Sequence, residues 1–194
     1  QASSRFAKDS RWGNFWSLGG AWQISNEEWF KAAWVDDMKL KVSYGQNGND
    51  NISNWLYTDR YTITPSNGQV SLVPSSVQKT EDITWEKVGE FNAGVDFSFF
   101  KSRLTGTVEY FWRKTTDMLF SFNMPISNGY SSYWDNIGDM VNEGVEFTLN
   151  GDIIRGKDLT WSANLNFSYD HNWISKLADG VKNTHLDGYA GYVG

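Results

Sequence analysis

The chain has 194 residues, 40% hydrophobic and 21% charged, and its 17 basic and 23 acidic side chains give a net charge of −6. This balance excludes a disordered tail, and the absence of any Lys/Arg-rich run excludes a binder of phosphate backbones, so no nucleic acid is expected as a partner. With no cysteine, disulfides, zinc–thiolate sites and thiol catalysis are excluded as well, while 11 Trp, 9 Tyr and 12 Phe make the chain unusually aromatic.

Taken in order, Trp16–Ile24 reads as a weak strand. Around Glu27 to Val35, the spacing of Trp29, Phe30, Ala33 and Trp34 predicts a short helix. Met38–Gly45 then reads as a strand, followed by a very long connection from Asn47 to Thr84. In Glu90–Phe99, Phe91, Ala93, Val95, Phe97 and Phe99 alternate with polar or small residues, the signature of a strand with one greasy and one wet face. Lys101-Ser102-Arg103 reads as a tight hairpin turn. Beyond it Leu104, Val108, Tyr110 and Trp112 oppose Thr105, Thr107, Glu109 and Arg113. A medium connection, Phe120 to Met140, leads to a strand in which Val145, Phe147, Leu149 and Ile153 oppose Glu146, Thr148, Asn150 and Asp152. A second tight turn, Gly156-Lys157-Asp158, precedes the strictest alternation in the chain, Leu159 to Asp170. Pro65, Pro74 and Pro125 all fall in stretches read as loops, where a missing N–H costs nothing.

About six antiparallel strands result, with tight turns at one end and long loops at the other. Transmembrane β-barrels have that asymmetry, short periplasmic turns and long extracellular loops. Four of the segments also reach the roughly 9–11 residues needed to cross a bilayer at a tilt. Aromatics cluster where the strands should leave the hydrocarbon, at Tyr110–Trp112 and at Phe167, Tyr169 and Trp173. The expectation is all-β, an up-and-down membrane barrel wall in contact with outer-membrane lipid. A soluble carbohydrate-binding or adhesive β-sandwich also alternates and is the competing fold. A passive porin-like barrel is the competing function.

Specific strings narrow this further. Trp85–Phe120 (WEKVGEFNAGVDFSFFKSRLTGTVEYFWRKTTDMLF) resembles the late barrel strands of the SusC/RagA-like TonB-linked outer-membrane transporters of Bacteroidetes. Asn136–Asn150 (NIGDMVNEGVEFTLN) resembles that family's Asn-Ile-Gly…Asn-x-Gly-Val-Glu block. The stretches SSRFAKDSRWGNFWSLGGAWQIS and MKLKVSYGQNGND are similar to the strands just before it, so the resemblance runs from Ser3 to about Leu177. It implies a bacterial outer-membrane importer of oligosaccharides or similarly bulky nutrients, partnered by a SusD-like surface lipoprotein and by TonB. It also implies that residues 1–194 are one partial barrel domain. The plug domain, the TonB-contacting motif and the final strands of such a protein have no counterpart in this sequence, and the opening at Gln1 reads as that of an excised segment.

Candidate sites follow from residue chemistry. No nucleophile elbow or phosphate loop is present, so no enzyme and no cofactor are expected. His171 and His185 lack the i, i+4 spacing of a helical metal site, and the paired acids Asp36-Asp37 and Glu81-Asp82 read as solvated turns. Asn47-Gly48-Asn49-Asp50-Asn51 is rich in oxygen ligands but lacks the spacing and closing Glu of a calcium loop, so a turn explains it and no metal is expected. Long-loop aromatics are the candidates for a glycan or other nutrient: Trp55, Tyr57 and Tyr61 in one loop, Tyr130, Tyr133 and Trp134 in the other. Glu90, Asn92, Asp96, Glu109, Arg113, Glu146, Asn150, Asn164 and Asn166 are the expected lumen-facing polar set.

Overall fold

A computed structural model describes residues 1–66 and 69–177. Its main feature is one six-stranded antiparallel sheet, in the order β1 (Trp16–Gln23), β2 (Val35–Asn49), β5 (Glu86–Phe99), β6 (Leu104–Thr116), β9 (Asp139–Arg155) and β10 (Thr160–Lys176). Two small hairpins stand outside it, β3 (Tyr61–Ser66) with β4 (Gln69–Pro74) and β7 (Leu119–Asn123) with β8 (Ser132–Asn136). The six main strands are those the alternation indicates, but most run longer. β5 has 14 residues, and β9 and β10 have 17 each. At about 3.3 Å per residue and a 45° tilt, the 14 residues of β5 rise ~33 Å, enough to cross a bilayer's hydrocarbon.

Register fixes two faces. Phe91 lies opposite Trp112, Ala93 opposite Tyr110 and Val95 opposite Val108. Val108, Tyr110 and Gly106 in turn face Phe147, Val145 and Leu149, which face Phe167, Tyr169 and Leu165. Across the sheet this row is apolar, half-buried on β5, partly exposed on β6 and β9, and exposed at Leu165, Phe167 and Tyr169 on β10. A one-residue slip would carry every member to the wet face. Gly106 is needed in this row because the Phe97 ring lies across it; a Cβ there would come within 2.6 Å of the ring and 2.5 Å of the Thr148 carbonyl.

Tight connections lie at one end, residues 100–103 and 156–159, together with the β1–β2 link. Both long connections, 50–85 and 117–138, lie at the other. The 100–103 turn has Phe100, Lys101 and Ser102 all left-handed, at φ 58°, 60° and 58°. Three contacts hold it: Phe100 N–H to the Trp34 carbonyl (2.9 Å), Arg103 N–H to the Phe99 carbonyl (3.0 Å), and Ser102 N–H to Asp36 Oδ2 (2.8 Å).

Two expectations are corrected. Residues 27–35 form no helix; a 3-10 turn at Ile24–Asn26 is followed by i→i−3 bonds from Phe30 to Glu27 and from Val35 to Ala32. So short a stretch cannot offset helix nucleation, and its aromatics pack as rings, Trp22 on Trp29 at 6.1 Å and Trp34 on Phe99 at 5.0 Å. Pro65 and Pro74 sit in β3 and β4, not in loops. A two-stranded ribbon has a free edge on each strand, which tolerates proline. The expected barrel wall stands, because the main strands form a single layer whereas the competing sandwich requires two sheets packed face to face.

The buried core is at the long-loop end and not between layers. Phe6, Ile52, Leu56, Ile83 and Trp85 cluster there, with Phe15, Val77, Leu119 and Trp134 packed against them. The N-terminal segment and both long connections thus form one cap. Among the described residues the outer edges of β1 and β10 are unpaired, and open edges beside an exposed apolar row promote association. The 194-residue chain alone, in detergent-free buffer, should therefore sediment as associated species. A monodisperse monomer with a cooperative melt in the ultracentrifuge and calorimeter would contradict this.

Candidate functional site

The polar face carries a ladder of charges. On β5 and β6, Glu90 and Arg113 are register partners, and Arg113 Nη2 lies 3.2 Å from Glu90 Oε2. Asn92 Nδ2 also reaches Glu90, at 3.3 Å. Lys41 of β2 sits 2.9 Å from Asp96 of β5, which accepts a second bond from Thr107 Oγ1 at 3.0 Å. Farther along, Glu109 lies opposite Glu146, a like-charge pair with no cation partner among the described residues. Asn150 and Asn164 are register partners and hydrogen-bond through their side chains, and Asn166 Nδ2 continues the chain to Asn164 Oδ1 at 2.7 Å. All nine polar residues singled out from sequence share this face. Between them, Gly19, Ala21, Ser43 and Gly94 leave a shallow depression floored by small side chains and bordered by Lys41, Asn92 and Glu109.

The loop aromatics divide into three groups. Trp55 and Tyr61 are 58% and 61% exposed. Trp55 has its ring 6.1 Å from that of half-buried Tyr57 and a backbone φ of 65°. Tyr130 is half-buried between the short 3-10 turn at Ile126–Asn128 and β8. Tyr133 stacks on Phe122 across the β7–β8 hairpin at 5.2 Å, and Trp134 packs against the cap core. The exposed pair offers open ring faces, whereas Tyr133 and Trp134 spend much of theirs on protein.

The two long connections are stitched into one body. Thr80 Oγ1 donates to the Trp134 carbonyl at 2.5 Å, and Val77 bridges to Ser132. Asn136 is the clamp that sequence reading missed. Its Nδ2 donates to the carbonyls of Thr84 (2.9 Å) and Asp117 (2.8 Å), while its Oδ1 accepts the Thr84 N–H (2.7 Å). The only sequence signal was its place in the recognisable Asn-Ile-Gly string. Nearby, Glu81 and Asp59 hold the Lys79 ammonium above its ordinary pKa, at 2.9 and 3.0 Å. That ionic support is complete below the ordinary lysine value and fades only as pH rises beyond it.

The remaining sequence candidates have structural employment. Asn49 bonds Glu86 Oε1 at 2.9 Å and caps the Asn51 N–H at 3.0 Å, while Asp50 receives Ser3 Oγ at 2.7 Å. Asp37 accepts from Gln23 and Ser25 at the tight-turn end. His171 lies in the apolar row beside Trp173 (5.0 Å), and His185 falls outside the described residues.

A sheet whose strands cross ~30 Å, greasy on one face and hydrogen-bonded on the other, with aromatics at both ends, is the wall of an outer-membrane β-barrel. The comparisons agree. Residues 1–192 match the family described as TonB dependent receptor-like, beta-barrel. The chain is 37% identical over 187 residues to the TonB-dependent receptor SusC of Bacteroides thetaiotaomicron, covering 92% of this chain and 19% of that protein. It is 34% identical to the TonB-dependent receptor P39 of Formosa agariphila, covering 91% and 17%. Among solved structures, the RagAB peptide importer in the closed-closed state superposes with a TM-score of 0.87 at 34% identity, over 96% of this chain and 21% of that one. The chain therefore belongs to the TonB-dependent receptor-like β-barrel family. It spans about a fifth of the length of the relatives it matches.

Proposed function

We propose that this chain is part of the barrel wall of a TonB-dependent transporter that imports bulky nutrients across the bacterial outer membrane. In this reading residues 1–194 are one partial barrel domain. The plug, the TonB contact and the remaining strands belong to the rest of such a protein, and a SusD-like lipoprotein works at its surface. The observation that carries the reading is the two-faced sheet. Its hydrogen-bonded ladder from Glu90 to Asn166 suits a water-filled lumen, and its opposite row suits lipid. The role is that of a conduit and binding surface, without a catalytic step or a cofactor.

Oligosaccharides are the substrate class we favour, because Trp55 and Tyr61 present open rings on which the apolar face of a sugar can lie. Peptides are the second reading, favoured by the likeness to RagAB, which is described as a peptide importer. The test is uptake of labelled oligosaccharides and peptides by cells carrying the full-length parent as wild type or as Trp55→Ala/Tyr61→Ala. Oligosaccharide uptake should fall severalfold in the double variant with peptide uptake unchanged. Loss of peptide uptake alone would reverse the assignment, and equal uptake by both proteins would remove these rings from substrate contact.

A further inference from the structure

The tight-turn end of β6 and β9 holds a groove of about 290 Å³ with an unusual lining: Phe100, Leu104, Gly151 and Ile153 make it apolar, while Arg103 and Asp152 stand at its rim. From these features we infer a binding site for a single phospholipid with an anionic headgroup.

The location is the first reason. Leu104 and Gly151 are register partners in the lipid-facing row, so the groove opens sideways to the bilayer and not to the lumen. Phe100, 54% exposed, stacks against Trp34 at 6.0 Å in the aromatic cluster at this end. Aromatic clusters of this kind mark the headgroup level. The groove exists because residue 151 has no side chain. A Cβ there would find its nearest atoms at 3.7 Å (Leu104 Cδ1) and 4.0 Å (the Arg103 carbonyl), so the position has room for a side chain, a slot that the glycine leaves open to a ligand.

The second reason is a cation already held in place. β9 bulges beside the slot, where Trp161 pairs with Ile154 but Ser162 pairs with Asp152, leaving Ile153 as the extra residue. Arg103 satisfies the carbonyls this bulge frees. Its Nη2 donates to Asp152 (3.1 Å) and Ile153 (3.0 Å), and its Nε donates to Asp152 (3.3 Å). Nη1 has no protein acceptor among the described residues. A guanidinium fixed on one side with donors free on the other loses little entropy on binding phosphate.

Charge complementarity selects the headgroup. Asp152 is the carboxylate that could repel an anion, but its Oδ2 is paired with Arg155 at 2.5 Å and its Oδ1 accepts Ser162 Oγ at 2.9 Å. In residues 100–103 and 152–158, which carry most of the groove's lining, Lys101, Arg103, Arg155 and Lys157 outweigh Asp152 and Asp158, while Asp36 and Asp37 on β2 are engaged with the Ser102 N–H and with Gln23 and Ser25. A periplasmic protein loop would also meet this rim, but it would have no use for a slot opening into hydrocarbon.

Native mass spectrometry of the full-length parent protein in detergent, doped with phosphatidylglycerol or phosphatidylcholine, tests the inference. The wild type should keep one phosphatidylglycerol under activation that strips phosphatidylcholine. Gly151→Leu, which fills the slot, and Phe100→Asn, which removes a wall at a backbone conformation Asn tolerates, should each cut that occupancy about tenfold. Arg103→Gln should erase the preference for phosphatidylglycerol. If that variant fails to fold because the bulge opens, the other two still decide. Retention by both of them at the wild-type level, equal retention of the two lipids by wild type, or displacement by inorganic phosphate alone would overturn the site.

Discussion

Leu149→Arg or Leu165→Arg in the full-length protein is expected to cost about 2–4 kcal/mol of folding stability in lipid. Both residues are mid-strand register partners in the greasy row, with Phe147 and Phe167 as the next apolar pair. An arginine there must leave its charge in hydrocarbon or bend back to the interface. One step along, Asn150 and Asn164 point to the hydrogen-bonded face. Asn150→Arg or Asn164→Arg should cost only about 0.5 kcal/mol, as at a solvated surface. Denaturant titrations of vesicle-folded protein measure both. Equal costs on the two faces would mean that the greasy row does not meet lipid.

Phe6→Ala is expected to weaken the cap by about 3–5 kcal/mol. Phe6 is fully buried, and its ring centroid lies 5.2 Å from that of Trp85. Leu56→Ala, at an equally enclosed site, should cost about 2–5 kcal/mol. Because the cap is separate from the lipid-facing row, the loss should appear as faster proteolysis within residues 50–85 while the strands stay protected. Ile126→Ala, at a residue 86% exposed, is the control and should change cleavage little. If the Phe6 and Ile126 variants are cleaved at the same rate, the cap is not held by burial.

What the sequence displayed was whatever repeats with period two. The faces of β5, β6, β9 and β10 were legible because residues such as Phe91, Tyr110, Phe147 and Phe167 must all point one way to meet lipid, and the register pairs them accordingly. β3 and β4 were illegible because Pro65 and Pro74 are loop markers in a sheet interior but acceptable in a ribbon with two free edges. Trp29, Phe30 and Trp34 imitated a helix because rings gathered at a membrane boundary can fall at helical spacing by position alone. The cap was hidden for another reason. Phe6, Ile52 and Ile83 lie far apart in the chain and meet only in three dimensions, so no local window reports them. For the loop aromatics, composition identified the rings, but only packing separates open Trp55 and Tyr61 from Trp134, which lies against the cap core.

The cap's distant contacts also impose an order of events. Ser3 reaches Asp50, Trp85 reaches Arg11, and Thr80 reaches Trp134, so each of these bonds closes a long stretch of chain whose ends strand pairing would first bring together. Closing such long loops early would cost chain entropy that no local contact returns. The cap is therefore expected to become structured after the strands beneath it. Its resistance to an externally added protease, followed over time, then serves as a clock for completion of the wall beneath it.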